Sequence, residues 1–380
     1  MFIDELDKCL VFGNRVFAAR AVSEPSSETV IRGGRDGFTE TVRFNTALLR
    51  RRIRDTRLKM EYQTFGTRSK TDTYITYIDD IVNKDVLDEL RKRLDKINID
   101  AIMDSGYIEQ LVEDNQWSIF PQIQSTERPD VVAAALYEGR VAMIVDNSPF
   151  AIIIPATLPN LFQSPDDYNQ RWISSSIVRF TRLFSLILSL ILPALYVAVT
   201  SYQTAIIPSR LAYSIAASRE GVPFPGYIEA IIMEISLAIL MEAIVRLPKP
   251  ISSTIGIVGG LIIGQAAVSA GIISPVMIVV VSITAISAFI IPNYEVTSAF
   301  RIVRFLLIIA SAIVGLYGIM LGLIILIIHL NRLTSFGIQY MSPIVNSEMK
   351  DLKDTFWRAP IKYLKERPKY MKTGDKIRQK

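Results

Sequence analysis

The sequence predicts a membrane protein: an N-terminal cytosolic α/β domain followed by an α-helical transmembrane bundle of about four spans plus a re-entrant or interfacial helix. Three observations carry this. Half of the 380 residues are apolar, with a mean hydropathy of +0.31. Charges crowd the ends, with 22 basic and 27 acidic residues in 1–171, 9 and 5 in 172–345, and 11 and 5 in 346–380. Helix and strand patterns alternate between residues 39 and 155, and long uncharged runs follow them. The chain therefore divides into an α/β domain (1–170), a helical membrane domain (171–335) and a basic cytosolic tail (336–380).

In the front domain, TETVRFNTALLRRRI (39–53) reads as a helix, and RLKMEYQTF (57–65) and TDTYITYID (71–79) read as strands. KDVLDELRKRLDKI (84–97) is an amphipathic helix with acids early and bases late, as the helix dipole favours. SGYIEQLVED (105–114) and RPDVVAAALYEG (128–139) read as helices, and GRVAMIVDNSPFAIIIP (139–155) as a hairpin turning at DNS. A mixed sheet is expected. The strand-like run CLVFGNRVFAARAV (9–22) starts so early that a front portion of the domain is expected to be missing.

No catalytic chemistry stands out. Arg50, Arg51, Arg52, Arg54 and Arg57 form a basic run that reads as a solvated helix end, and RGGRDG (32–37) is neither a GxxxxGK nor a GxGxxG loop. The single cysteine, Cys9, excludes a disulfide framework or cysteine metal site within one chain and points to a reducing compartment. MFIDELDKCLVFGN carries acids where a signal peptide needs a basic flank. A basic domain with interleaved aromatics is missing, so nucleic acid is not an expected partner. The tail bases, from Lys350 to Lys380, suit either a segment near anionic lipid or a solvated end. No enzyme, metal or cofactor is expected.

The membrane half opens with Leu183 to Ser209, free of charge and long enough to cross, with Pro193 mid-span as a kink. Arg171, Arg179 and Arg182 precede it and place its amino end on the cytoplasmic side. Pro250 to Tyr294 holds 45 uncharged residues, enough for two spans turning at GIISP (271–275). Phe305 to Asn331 is the last span. The leftover GYIEAIIMEISLAILMEAIVRLPKP (226–250) carries Glu229, Glu234 and Glu242, each costing about 2.5–3.5 kcal/mol in a lipid-facing span. A fifth span would also put the basic tail outside. Residues 203–249 are therefore read as an external connection plus an interfacial or re-entrant helix, with Pro223 and Pro225 as its rigid elbow. Glu234 and Glu242 lie about 80° apart on the wheel and share an interior face as gating candidates, while Glu229 points elsewhere. A structural reading pairs these acids with Arg246, Arg219 or backbone.

GIVGGLIIGQAAVSAGIISP (256–275) has two faces. Gly256, Gly260, Gly264, Ala267 and Gly271 form a small-residue stripe that admits a neighbouring helix. Opposite lie Thr254, Val258, Leu261, Gln265 and Ser269, within about 80° of one another. Two readings stay open. Gln265 and Ser269 form an interhelical hydrogen bond in an ordinary bundle. Alternatively, several copies surround an axis, the polar residues line a wet pore, and Val258 and Leu261 form a constriction that dewets. In the final span Ser311, Gly315, Gly318 and Gly322 form another packing stripe, and His329 closes it as an interfacial anchor.

The stretches TERPDVVAAALYEGRVAMIVDNSPF, FQSPDDY, LPALYVAV, REGVPFP, RLPKPISSTIGIVGGLIIGQAAVSAGIISPVMIVV, IPNY and DLKDTFWRAP carry a family likeness from about Val22 to Arg367. Together they resemble the A-subunit family of spore germinant receptors, the GerA type, which includes the SpoVAF-like proteins. The resemblance implies a role in spore germination at the spore inner membrane, with a transporter-like B subunit and a lipoprotein C subunit as partners. It also implies a homo-oligomer, a pentamer, forming a gated channel that releases monovalent cations on a nutrient signal. Assigning Thr254, Val258, Leu261, Gln265 and Ser269 to that pore rests on helix geometry alone. The alternative is a non-conducting scaffold or signal-relay subunit. Family members have a longer cytoplasmic region ahead of the matching part, so this chain reads as a shortened paralogue or a late start codon.

Overall fold

The structure is a computed structural model and describes residues 21–248, 256, 259–260, 264–345 and 351–379. Thr254, Val258, Leu261 and most of the strand-like run 9–22 lie outside the described residues.

In the front domain, strands Leu58–Phe65 (β1), Thr71–Ile78 (β2), Gln124–Thr126 (β3), Val141–Val145 (β4) and Ala151–Ile154 (β5) form one sheet in the order β1-β2-β4-β5-β3. Every pairing is antiparallel, which corrects the expected mixed sheet. β1 and β2 form one hairpin and β4 and β5 another, while the helical connections carry the chain from β2 to the edge strand β3 and from β3 back past β5 to β4, so no strands that point the same way lie side by side. Helices Val42–Arg52 (α1) and Pro129–Tyr137 (α4) cover one face, and Lys84–Leu94 (α2) and Ser105–Val112 (α3) the other. Alternation along β4 explains its unbroken apolar run. Val141, Met143 and Val145 join α2 and α3, while Ala142 and Ile144 join α1 and α4. The hairpin turns at DNS as expected, with Asn147 at φ +68, a conformation asparagine tolerates. Asn83 caps α2 by accepting from the Asp85 N–H at 3.0 Å.

Helices Trp172–Ser201, Gly226–Arg246, Pro275–Phe289, Tyr294–Val314 and Leu316–Arg332 build the bundle, and residues 256, 259–260 and 264–269 are also helical. Trp172–Ser201 and Tyr294–Val314 are long and apolar enough to cross a membrane, while Pro275–Phe289 and Leu316–Arg332 are shorter apolar helices. The four-span count is therefore not confirmed. The run Phe305 to Asn331, expected as one span, divides at Gly315 (φ +61), and the chain reverses there. A Cβ on Gly318 would overlap the Ala310 carbonyl, and one on Gly322 would overlap the Leu307 side chain, so the two helices run antiparallel in close contact.

Gly226–Arg246, expected as an interfacial or re-entrant helix, is an unbroken 21-residue helix. At about 31 Å it runs through the bundle from Glu229, beside Ser274, to Ile244, beside Gly256. Exposed Ile177, Phe184, Ile239, Ile313 and Ile325 make the outer surface of the bundle apolar, as lipid contact requires.

At one end of the bundle the Tyr202 hydroxyl donates to the carbonyls of Ala312 and Ile313. At the other end Phe120 of the front domain packs edge-on against Phe300 at 5.3 Å. The front domain and bundle share one apolar core, from Phe120, Ala156 and Leu158 into Phe300 and Leu330. The tail returns to the same end and docks. Asn83 donates to the Met371 carbonyl, the Gly374 N–H to the Ile81 carbonyl, and Arg367 to the Tyr137 carbonyl. The tail is therefore not a free end, because buried Met371 joins the core beneath α2, while Lys362, Lys365, Lys369, Lys372 and Lys376 remain exposed.

Candidate functional site in the helical bundle

The charges inside the bundle are organised by pairs. Glu234, on Gly226–Arg246, accepts from Arg304, on Tyr294–Val314, at 2.9 Å, and Arg304 also donates to the Ser189 carbonyl of Trp172–Ser201 at 3.1 Å. Their side chains are 4% and 7% exposed, so the pair ties three helices where an unpaired charge would be costly. Nearer the far end, fully buried Glu229 meets Arg219 at 3.2 Å and accepts from the Ser274 N–H at 2.8 Å. Where the bundle meets the front domain, buried Asp167 takes two arginines of the first helix, Arg182 at 2.7 Å and Arg179 at 3.2 Å. Arg179 reaches on to Asp354 of the tail at 2.8 Å.

The expected shared interior face of Glu234 and Glu242 is corrected. Glu242 is exposed and pairs with Arg246 one turn away, whereas Glu229, expected to point elsewhere, is interior. Helix winding and the positions of neighbouring helices decide which face is inside, and the wheel angle between two acids cannot. Pro223 and Pro225 are exposed and separate helix Ser209–Ser218 from Gly226–Arg246, with Pro225 as the residue before its first turn. Arg304, just ahead of the run Phe305 to Asn331, is a site residue that the sequence pattern does not single out. Its inward position is set by Glu234, 70 residues away, and by the Ser189 carbonyl of another helix.

The glycine positions separate into different jobs. Gly256 touches Ile244, but Gly260 and Gly264 have open space where a Cβ would stand, and Gly259, outside the stripe, is the one pressed against Leu240. Gly271, at φ +64, and Gly315 are turns; Gly318 and Gly322 are close-packing positions. Ser311 is buried and donates to the Ile308 carbonyl of its own helix. His329 joins the Ser118 hydroxyl at 3.1 Å and lies 6.0 Å from the Phe120 ring, a polar anchor at the front-domain end.

Of the polar face, Gln265 and Ser269 are described. Both are exposed, and neither side chain has a hydrogen-bond partner among the described residues. Ala267, between them, packs on the bundle core. Ala267 thus faces the bundle core, while the Gln265 amide and the Ser269 hydroxyl face outward.

A family described as Bacillus/Clostridium GerA spore germination protein matches residues 1–370. This chain belongs to the GerA family of spore germination proteins. It is 45% identical over 375 residues to spore germination protein GerLA of Bacillus cereus, covering 99% of this chain and 76% of the relative. It is 47% identical over 371 residues to spore germination protein B1 of Bacillus subtilis (strain 168), covering 98% and 77%. A solved structure, the N-terminal domain of the A subunit of the Bacillus megaterium spore germinant receptor GerK3, is 48% identical. It covers 32% of this chain and 97% of its own, with a TM-score of 0.27. For this GerA family member the membrane character follows from the two long apolar helices and the apolar bundle surface.

Proposed function

We propose that this chain is the A subunit of a germinant receptor at the spore inner membrane, with both termini cytosolic, and that it works with B and C subunits. Copies assemble, as a pentamer, into a gated channel that releases monovalent cations on a nutrient signal. The observation that supports this reading is the outward, unpartnered pair Gln265 and Ser269 on an apolar bundle. An amide facing hydrocarbon without a partner costs several kcal/mol, and a ring of copies around a wet axis removes that cost. The open space at Gly260 and Gly264 then takes a neighbouring helix. Glu234 and Arg304 act as a fixed brace for the helices around that axis.

Reconstitution of the purified protein in a planar bilayer with current recording tests this. Unitary cation currents that Gln265→Trp abolishes, with membrane insertion unchanged, are the expected result. A silent bilayer with intact oligomers would favour the non-conducting scaffold, and unchanged currents in Gln265→Trp would remove the polar face from the pore.

A further inference from the structure

Away from the membrane, a cavity of about 290 Å³ lies where α4, the turn Leu158–Leu161, the turn Asp166–Asn169 and the tail meet. Its polar walls are unevenly used. Asn160 is 9% exposed and its Oδ1 accepts from the Tyr370 hydroxyl, yet its Nδ2 has no partner. Arg140 is 4% exposed and donates to the Pro155 carbonyl at 2.8 Å and to Gln124 Oε1 at 2.9 Å, with no carboxylate at ion-pair distance among the described residues. The Arg378 guanidinium, at the mouth, is likewise without an ion pair among the described residues. The cavity therefore presents one orphaned amide donor and two guanidiniums that form no ion pair among the described residues, with the single carboxyl of Glu138 near both. A buried guanidinium satisfied only by neutral acceptors is stabilised by an incoming anion.

The other side of the cavity carries Glu138, whose carboxyl is pushed up by burial while Arg140 and Arg378 pull it down. A second carboxyl in the same space disfavours a dianion, and it offers an acceptor to a hydroxyl or ammonium group. We propose that this cavity binds a small carboxylate monoanion bearing a hydrogen-bond donor on the neighbouring carbon. The carboxylate meets Arg140, Arg378 and the Asn160 amide, and the donor meets Glu138. Such a ligand bridges α4 to the tail and to the Tyr168 turn, and Tyr168 donates to Asp354 at 2.8 Å, the same carboxylate that holds Arg179 of the first membrane helix. Occupancy would thus stiffen the joint between the front domain and the bundle.

The test uses the full-length protein in detergent micelles at neutral pH, titrated calorimetrically with L-lactate, glycerol and inorganic phosphate. Saturable lactate binding is expected, with phosphate at least about tenfold weaker and glycerol silent. Arg378→Ala, at an exposed position, should weaken lactate about tenfold without moving the unfolding temperature of the unliganded protein, and Arg378→Lys should recover part of the loss. Absence of lactate binding, phosphate binding as tight as lactate, or an Arg378→Ala variant as tight as the parent would each overturn the proposal.

Discussion

Glu234 and Arg304 stand 70 residues apart in sequence and 2.9 Å apart in the bundle, both buried. One oxygen of Glu234 and the Nε of Arg304 lack partners, so the pair is held by a single strong contact and the Ser189 carbonyl. Removing one partner leaves the other charge stranded in a low-dielectric interior. Glu234→Gln or Arg304→Met alone should each cost about 3–5 kcal/mol, whereas the double variant Glu234→Leu with Arg304→Met should cost less than either. Urea unfolding in mixed micelles reads this as a coupling energy, and strictly additive losses would refute the pairing.

The glycines give a second contrast. Gly318→Ala pushes a methyl into the Ala310 carbonyl and should destabilise the helical hairpin by about 1–3 kcal/mol. Gly264→Ala fills open space and should leave the isolated chain as stable as the parent. If neighbouring copies use that face, Gly264→Ala should instead shift the oligomer distribution in native mass spectrometry. An unchanged distribution would show that the stripe is not an interface.

Much of this architecture is legible in the chain, and the exceptions have physical reasons. α2 announces itself by an Asn cap, early Asp85 and late Arg91, Lys92 and Arg93, all local signals. β3 is three polar residues at the sheet end, held only by its pairing with β5, so no periodicity marks it. Gly315 falls on a wheel stripe with Gly318 and Gly322 because angle counting assumes an unbroken helix, and the turn it makes breaks that assumption. Residues Gln265 and Ser269 were readable as one face because they share a helix. Their outward direction, like the Arg304 partner of Glu234, depends on elements distant in sequence, which no local pattern contains.

The junction between α3 and the Tyr294–Val314 helix predicts a pH response. Glu109 is pushed up to about 8 by burial, then by the charges of Glu295, Glu113 and Asp104, and burial also raises Glu113. A carboxyl raised in the folded state binds its proton more tightly there than in the unfolded chain. Stability from these groups is therefore greatest at and below about pH 4.5 and declines as pH rises toward 8. Glu109→Gln should flatten that decline and raise the unfolding temperature at pH 8 more than at pH 5. Equal shifts at both pH values would exclude Glu109 as the titrating group.

The tail supplies the last expectation, because its position makes it a strap. Asp354 receives Arg179 and Tyr168, and Gly374 and Met371 close over the loop that starts α2. Cutting the chain after Val345 removes the carboxylate partner of Arg179 but leaves Asp167, so the first membrane helix keeps one anchor of two. The loss should appear as faster amide exchange in Ile81 to Val86 and in the first turns of Trp172–Ser201, with the β4 and β5 core unchanged. Asp354→Asn isolates the ionic part and should speed exchange only at the helix. Exchange that stays at parental rates in both segments after truncation would mean that the docked tail contributes no protection.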